Sequence, residues 1–181
     1  LLYAASSNFI VLWKLRFEMG SRRAARELAL QYLFSHEFGH EFGHEFGHES
    51  KGPDSAQTSS SKPPVHFESP KQWLAQYRSD FEVDPEVSEF AEGLCQGVIE
   101  HKTKIDPIIQ SHSAHWKISR MSLVDINILR VAVFEMHFSS HSLEPKIVMN
   151  EAIDIAKIYG TLDSGAFVNG IIDQIAKSLR K

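Results

Sequence analysis

The chain predicts an all-α fold of about seven helices, and three observations carry that expectation. Apolar residues recur at helical spacing in several separate segments. No segment alternates polar and apolar residues as a half-buried strand does. Ser, Asp, Pro and Gly stand where the periodic segments begin and end, as helix caps and stops require.

The first eighteen residues, LLYAASSNFIVLWKLRFE, put their apolar run before Lys14 and Arg16, the reverse of a secretory signal. Ser6, Ser7 and Asn8 interrupt that run, which is too short for a membrane-spanning helix. Residues 1–18 therefore read as a non-native or upstream extension, with an N-terminal interaction helix as the alternative, and Met19 opens the folded part. A first helix is expected over 19–36. Ala25, Leu28, Ala29 and Tyr32 share its buried stripe, and Arg22, Arg23 and Arg26 fall together on the opposite flank, within about 100° of arc. Three guanidiniums so close together can fork onto phosphates or stack on bases; the alternative is a solvated basic face.

From 37 to 69 the pattern gives way to a HEFG repeat and a flexible linker rich in Ser and Pro. His36, His40, His44 and His48 have the i,i+4 spacing that can hold zinc. Each repeat unit also carries a Gly, which costs a helix about 1 kcal/mol, and no Cys completes a tetrahedral site. A solvated repeat is expected, with no metal. Between His36 and Pro70 six acids face two bases, which accounts for the whole formal charge of −4. The remainder is near neutral, so any contact with nucleic acid must come from a local cluster and not from a broad field.

Residues 70–181 read as the rest of one helical domain. Val87, Phe90, Ala91, Leu94 and Val98 mark a long helix begun at Asp84-Pro85, and Ile105, Ile108 and Ile109 mark a shorter one announced by Asp106-Pro107. Cys95 cannot form an intramolecular disulfide, since it is the chain's one cysteine, and beside Leu94 it reads as a small buried filler. Over 122–138 apolar residues cover more than one face, as in the centre of a bundle. Arg130 within that run is either a paired structural charge or part of a partner surface.

Pro145 to Lys177 holds two amphipathic helices around one polar break. Met149, Ala152, Ile153 and Ala156 line the first, and Val168, Ile171, Ile172, Ile175 and Leu179 line the second. Gly160 is expected as a left-handed helix stop, with Asp163 or Ser164 as the next N-cap. Phe167 lies roughly 110° from the middle of the second stripe, one turn after the cap. An aromatic there either locks the helix start onto its neighbour or stacks on a base while backbone amides face phosphate.

No G-x-S-x-G, phosphate loop, dinucleotide glycine pattern or H-E-x-x-H occurs, and Glu100, Asp106 and Glu135 are scattered. His112 and His115 lack a third ligand nearby. Neither catalysis nor a cofactor is expected. With no export signal and no disulfide pair, the expected compartment is the cytoplasm, with no membrane association.

MNEAIDIAKIYG (149–160) followed by DSGAFVNGIID (163–173) resembles the C-terminal signature of the NusB transcription antitermination family. SRRAARELALQYLF (21–34) is similar to that family's arginine-rich first helix, and VDINILRVAVFEM (124–136) to its central helix. The resemblance implies two small antiparallel helical bundles packed on each other. It also implies binding of boxA RNA in nascent ribosomal RNA transcripts together with ribosomal protein NusE, other Nus factors and RNA polymerase. Residue by residue, it carries RNA contact onto Arg22, Arg23, Arg26, Asp163 and Phe167, and contact with the protein partner onto Asp125. Ala24 stands where many relatives carry another base, which implies a weaker cluster here. Self-association through the RNA-binding face is a further implication. Two alternatives stand beside this reading: a helical protein-interaction module whose arginines meet an acidic partner, and the N-terminal domain of a ribosomal RNA cytosine methyltransferase. The Gly-rich strand-helix pattern such a methyltransferase needs is not among these 181 residues.

Overall fold

The computed structural model describes residues 21–43, 69–140 and 143–179. Within them the backbone forms six α-helices, one 3₁₀ turn at Ile118–Arg120 and no strand. The helices are α1 (Ser21–Gly43), α2 (Pro70–Asp80), α3 (Pro85–His112), α4 (Leu123–His137), α5 (Pro145–Tyr159) and α6 (Ser164–Ser178). The upstream segment 1–18, the repeat beyond Gly43 and the linker to 68 lie outside the described residues.

Local chemistry sets most of the helix starts. The Ser69 hydroxyl accepts from the Gln72 N–H at 3.3 Å, the Asp84 carboxylate from the Glu86 N–H at 2.8 Å, and the Ser122 hydroxyl from the Asp125 N–H at 3.0 Å. Pro70, Pro85 and Pro145 open α2, α3 and α5, where a missing N–H removes no helical bond. Apolar periodicity alone gives no sign of α2, because Leu74 is its one buried residue. An i,i+4 ladder of rings, Trp73 to Tyr77 at 5.0 Å and Tyr77 to Phe81 at 4.7 Å, seats it instead.

Two sequence expectations about helix limits change. Asp106-Pro107 does not start a new helix: α3 runs through Pro107 to His112, which brings the number of helices from about seven to six among the described residues. The Asp106 carboxylate is not free to cap, because Arg130 of α4 forks onto it with bonds of 2.8 and 2.9 Å. The carbonyl that loses its donor to Pro107 belongs to Thr103, an exposed residue with access to water. At the other boundary, α1 does not end at His36 but continues to Gly43. Glu37, the first acid of the repeat, reaches Arg130 Nη1 at 2.7 and 2.8 Å, Lys102 Nζ at 2.8 Å and Asn127 Nδ2 at 3.1 Å.

Two main cores form, with α1 between them. Leu28 and Ala25 of α1 join Leu74, Val83, Val87 and Ala91 in one. Leu30 joins Ile109, Leu129, Val133, Ala152, Ile155, Val168 and Ile172 in the other. Ala29, Tyr32 and Leu33 meet Leu94, Cys95, Val98 and Val131 in a bridging cluster. Every residue from Asp125 to Val133 is buried, so α4 is the central helix that its many-sided apolar pattern predicts. Cys95 is the expected inert filler, and burial pushes its thiol pKa up. The stripes of the last two helices are rotated slightly from expectation. Val148, Ala152, Ile155 and Ala156 are the buried positions of α5, while Met149 and Ile153 are half-buried, and Leu179 is exposed beyond the end of α6.

Gly97 lets α3 lie close against α4, since a Cβ there would overlap the edge of the Phe134 ring. Gly97→Ala is expected to lower unfolding free energy by about 1–3 kcal/mol through overpacking, read from the urea midpoint; an unchanged midpoint would mean that the ring yields freely. Glu37 supplies a pH prediction. Burial alone would raise its pKa, but the Lys102 hydrogen bond and the Arg130 charge outweigh that and hold it below the usual 4.5. The folded state therefore binds this proton more weakly than the unfolded chain. Glu37 contributes stability above about pH 4.5, and the contribution is lost as pH falls through the folded-state value. Glu37→Gln should lower stability at pH 7 and flatten the acid limb of a stability profile measured by denaturant titration.

Candidate nucleic-acid interface

The arginines of α1 do not share one solvent face. Arg26 is 4 % exposed and forks onto Glu135 of α4, Nε to Oε2 at 2.7 Å and Nη2 to Oε1 at 2.8 Å. Arg23 forks onto Glu151 of α5 at 2.9 and 2.7 Å and adds Asp154 at 2.9 Å. Only Arg22 is fully at the surface, its guanidinium 5.4 Å from the centre of the Phe90 ring in a cation–π contact. The helical wheel misplaces the other two because it assumes a helix buried along one stripe, whereas α1 lies between cores and is buried from Ala25 to Leu30 without a gap. Of the expected basic cluster, Arg22 remains exposed, and Arg26 is enclosed as a structural charge.

The α5–α6 junction is built differently from the expected left-handed stop. Gly160 is extended, at φ −93° and ψ −163°, so its need for glycine is steric. A Cβ there would run into the Ser164 side chain and come within 2.7 Å of the Ala156 carbonyl oxygen. Ser164 is buried and turned inward, its hydroxyl accepting from the Thr161 N–H at 2.9 Å. Asp163 holds the cap position with no side-chain hydrogen bond to the first turn, which leaves its carboxylate exposed. The Lys157 stem passes over Gly165, where a Cβ would lie 2.9 Å from its Cγ, and its ammonium remains in solvent.

Phe167 locks the start of α6 onto its neighbours, as one of the two expectations has it. One side packs on the C-terminal core, and the ring remains half-exposed beside Trp116, meeting it edge to face at 5.8 Å and 83°. Lys157, Asp163 and Phe167 thus share one end of the α5–α6 pair. Lys157 and Trp116 are not legible as site residues from periodicity. Lys157 reads as an ordinary solvated face, and Trp116 stands in a polar loop outside any helical pattern.

Asp125, onto which the resemblance carries the partner contact, is largely covered by the chain itself. It is 8 % exposed in the first turn of α4, and its Oδ1 has no hydrogen-bond partner within the described residues. Arg130 is the paired charge, held by Asp106 and Glu37. His112 is satisfied locally, its Nδ1 lying 2.8 Å from the Ile108 carbonyl oxygen. Among the described residues no group of three His, Cys, Asp or Glu could hold a metal ion, and no helix is long and apolar enough to cross a membrane.

A helix lying between two helical cores, with a half-exposed aromatic at the start of the last helix, defines an all-α domain of two cores. A model of the NusB family matches residues 23–177. The chain is 40 % identical over 157 residues to the transcription antitermination protein NusB of Trichlorobacter lovleyi, across 87 % of this chain and 91 % of that protein. Among solved structures, T. maritima NusB aligns with a TM-score of 0.62 at 30 % identity, over 86 % of this chain and 90 % of that one. The fold is also shared, at 24 % identity and a TM-score of 0.62 over 88 % of this chain and 98 % of the other, with a structure of antitermination factors NusB and NusE in complex with dsRNA. This chain belongs to the NusB family.

Removing one partner of the enclosed Arg26–Glu135 pair strands the other. Arg26→Ala is expected to cost about 3–5 kcal/mol in chemical unfolding. The double variant Arg26→Met, Glu135→Leu should recover most of it, whereas Arg22→Ala should stay within about 0.5 kcal/mol of wild type. A mild Arg26→Ala effect would show that the pair is not confined as described.

Proposed function

We propose that this protein is a non-catalytic, cytoplasmic transcription antitermination factor. It binds the boxA element of nascent ribosomal RNA transcripts together with ribosomal protein NusE, and with other Nus factors on RNA polymerase it suppresses termination. The observation that carries the reading is the start of α6, where Phe167 offers a half-exposed ring four residues after the exposed Asp163 carboxylate, while Lys157 reaches the same end from α5. A ring in that position stacks on an unpaired base, an ammonium meets its phosphate, and a free carboxylate accepts from base edges. Arg22 supplies a second phosphate contact from α1. Arg23 and Arg26 act at one remove, by fixing α1 through the acids they hold.

Family membership and the related fold found with NusE and dsRNA support the same reading. The family resemblance carries the protein-partner contact onto Asp125, in the first turn of α4. Self-association through the α6 end would compete with RNA and weaken its binding as protein concentration rises.

The test is binding of a boxA RNA and a scrambled control at one salt concentration, with and without NusE. Tighter boxA binding that NusE enhances is expected, and Phe167→Ala should weaken it by about 1–3 kcal/mol. Equal, weak binding to both RNAs in both conditions would overturn the reading. Salt-dependent affinity for any acidic polymer, indifferent to sequence, would favour a protein-interaction module instead.

A further inference from the structure

The loop between α3 and α4 has a composition and a rigidity that the helical scaffold does not require. From Ser113 to Met121 it carries Lys117 and Arg120 and no acid. Both bases are exposed, and neither has an ion pair among the described residues. Between them and α3 stands Trp116, 49 % exposed, one of the larger apolar surfaces the described chain leaves in water.

An indole on a loose tip would need no explanation, but this one is braced from both sides. The Trp116 carbonyl accepts from the Ser113 hydroxyl at 3.0 Å and from Gln110 Nε2 at 3.2 Å. Its N–H donates to the Ser113 carbonyl at 2.9 Å, and the Gln110 Oε1 accepts from the Ile118 N–H at 3.1 Å. Ser113 is itself buried. The backbone at Trp116 is therefore fixed, and the ring is held out against Phe167 instead of folding into the core.

We propose that Trp116 is a second stacking platform for single-stranded RNA, continuous with Phe167, with Lys117 and Arg120 taking the flanking phosphates; the inference rests on the RNA-binding reading given above. The rings stand 83° apart, so a base on the indole face lies nearly perpendicular to one on the Phe167 face. A strand using both must turn between them, which an unpaired strand does readily and the parallel bases of a duplex do not. The two bases and the absence of any acid within the loop favour a polyanion over an apolar peptide.

Full-length wild type, Trp116→Ala, Trp116→Phe and Phe167→Ala are titrated with a single-stranded boxA RNA and with the same sequence as a duplex. Trp116→Ala should weaken the single strand by roughly 5- to 150-fold, the range that removal of one base stack gives. Trp116→Phe should retain most of the affinity, and the duplex should respond little to either. Saturating single strand should quench wild-type indole fluorescence in a component absent from Trp116→Phe, a readout that holds even if Trp116→Ala folds poorly. Lys117→Gln with Arg120→Gln should flatten the salt dependence by roughly 0.7 in slope for each phosphate no longer neutralised. If folded Trp116→Ala binds like wild type while Phe167→Ala does not, the Trp116 platform is overturned and RNA binding stands. If wild type binds no RNA, both fall. If Trp116→Ala loses NusE but binds RNA unchanged, the loop serves a protein and the proposal is overturned.

Discussion

The fold depends on a reciprocal clasp between α1 and α4. Near its start α1 gives Arg26 to Glu135 of α4, and further along it receives Arg130 of α4 on Glu37. The positions rise along one helix and fall along the other, so the two helices run antiparallel, tied at Glu135 near the end of α4 and at Arg130 in its middle. Enclosed ion pairs of this kind add little net stability over apolar replacements. What they impose is geometry, because a two-bond fork tolerates far less rotation or sliding than a row of aliphatic contacts. Arg23 extends the same control to α5 through Glu151 and Asp154.

That control passes directly to the surface. Setting α1 against α4 and α5 decides where Arg22 emerges and how α5 delivers the turn that starts α6. The turn is then made compact by Ser164, which occupies the space that a Gly160 side chain would need. The groups that remain exposed at that end are those the interior does not use: the Asp163 carboxylate, the Lys157 ammonium, and one side of Phe167 with its neighbour Trp116. Interior charge and surface charge have different tasks in this molecule, and the division falls within the single run Arg22, Arg23, Arg26.

Much of this was legible in the sequence, and the failures have physical causes. Helical class, the central character of α4, the break between the last two helices and the half-exposed Phe167 all follow from periodicity and capping residues. The fate of Arg26 does not, because it depends on a carboxylate more than a hundred positions away that no local pattern announces. Asp106-Pro107 misleads for the same reason: its cap chemistry is real, but a distant guanidinium claims the carboxylate first. α2 is hidden because aromatic stacking, not an aliphatic stripe, seats it. Trp116 is hidden because loops have no period against which an exposed ring stands out.

Glu37 has a further consequence for how this chain can vary. It is the acid of the first HEFG unit, and the units that follow present the same His-Glu pair at intervals of four. Removing any one unit, or duplicating one, leaves a His-Glu pair at 36 and 37 and so leaves the partner of Arg130 in place. Short tandem repeats in a gene gain and lose units by slippage during copying, and an insertion of that kind is ordinarily hazardous within a helix. Here the repetition restores the same acid at position 37 after such an error, so a change in the number of units need not break the clasp with Arg130.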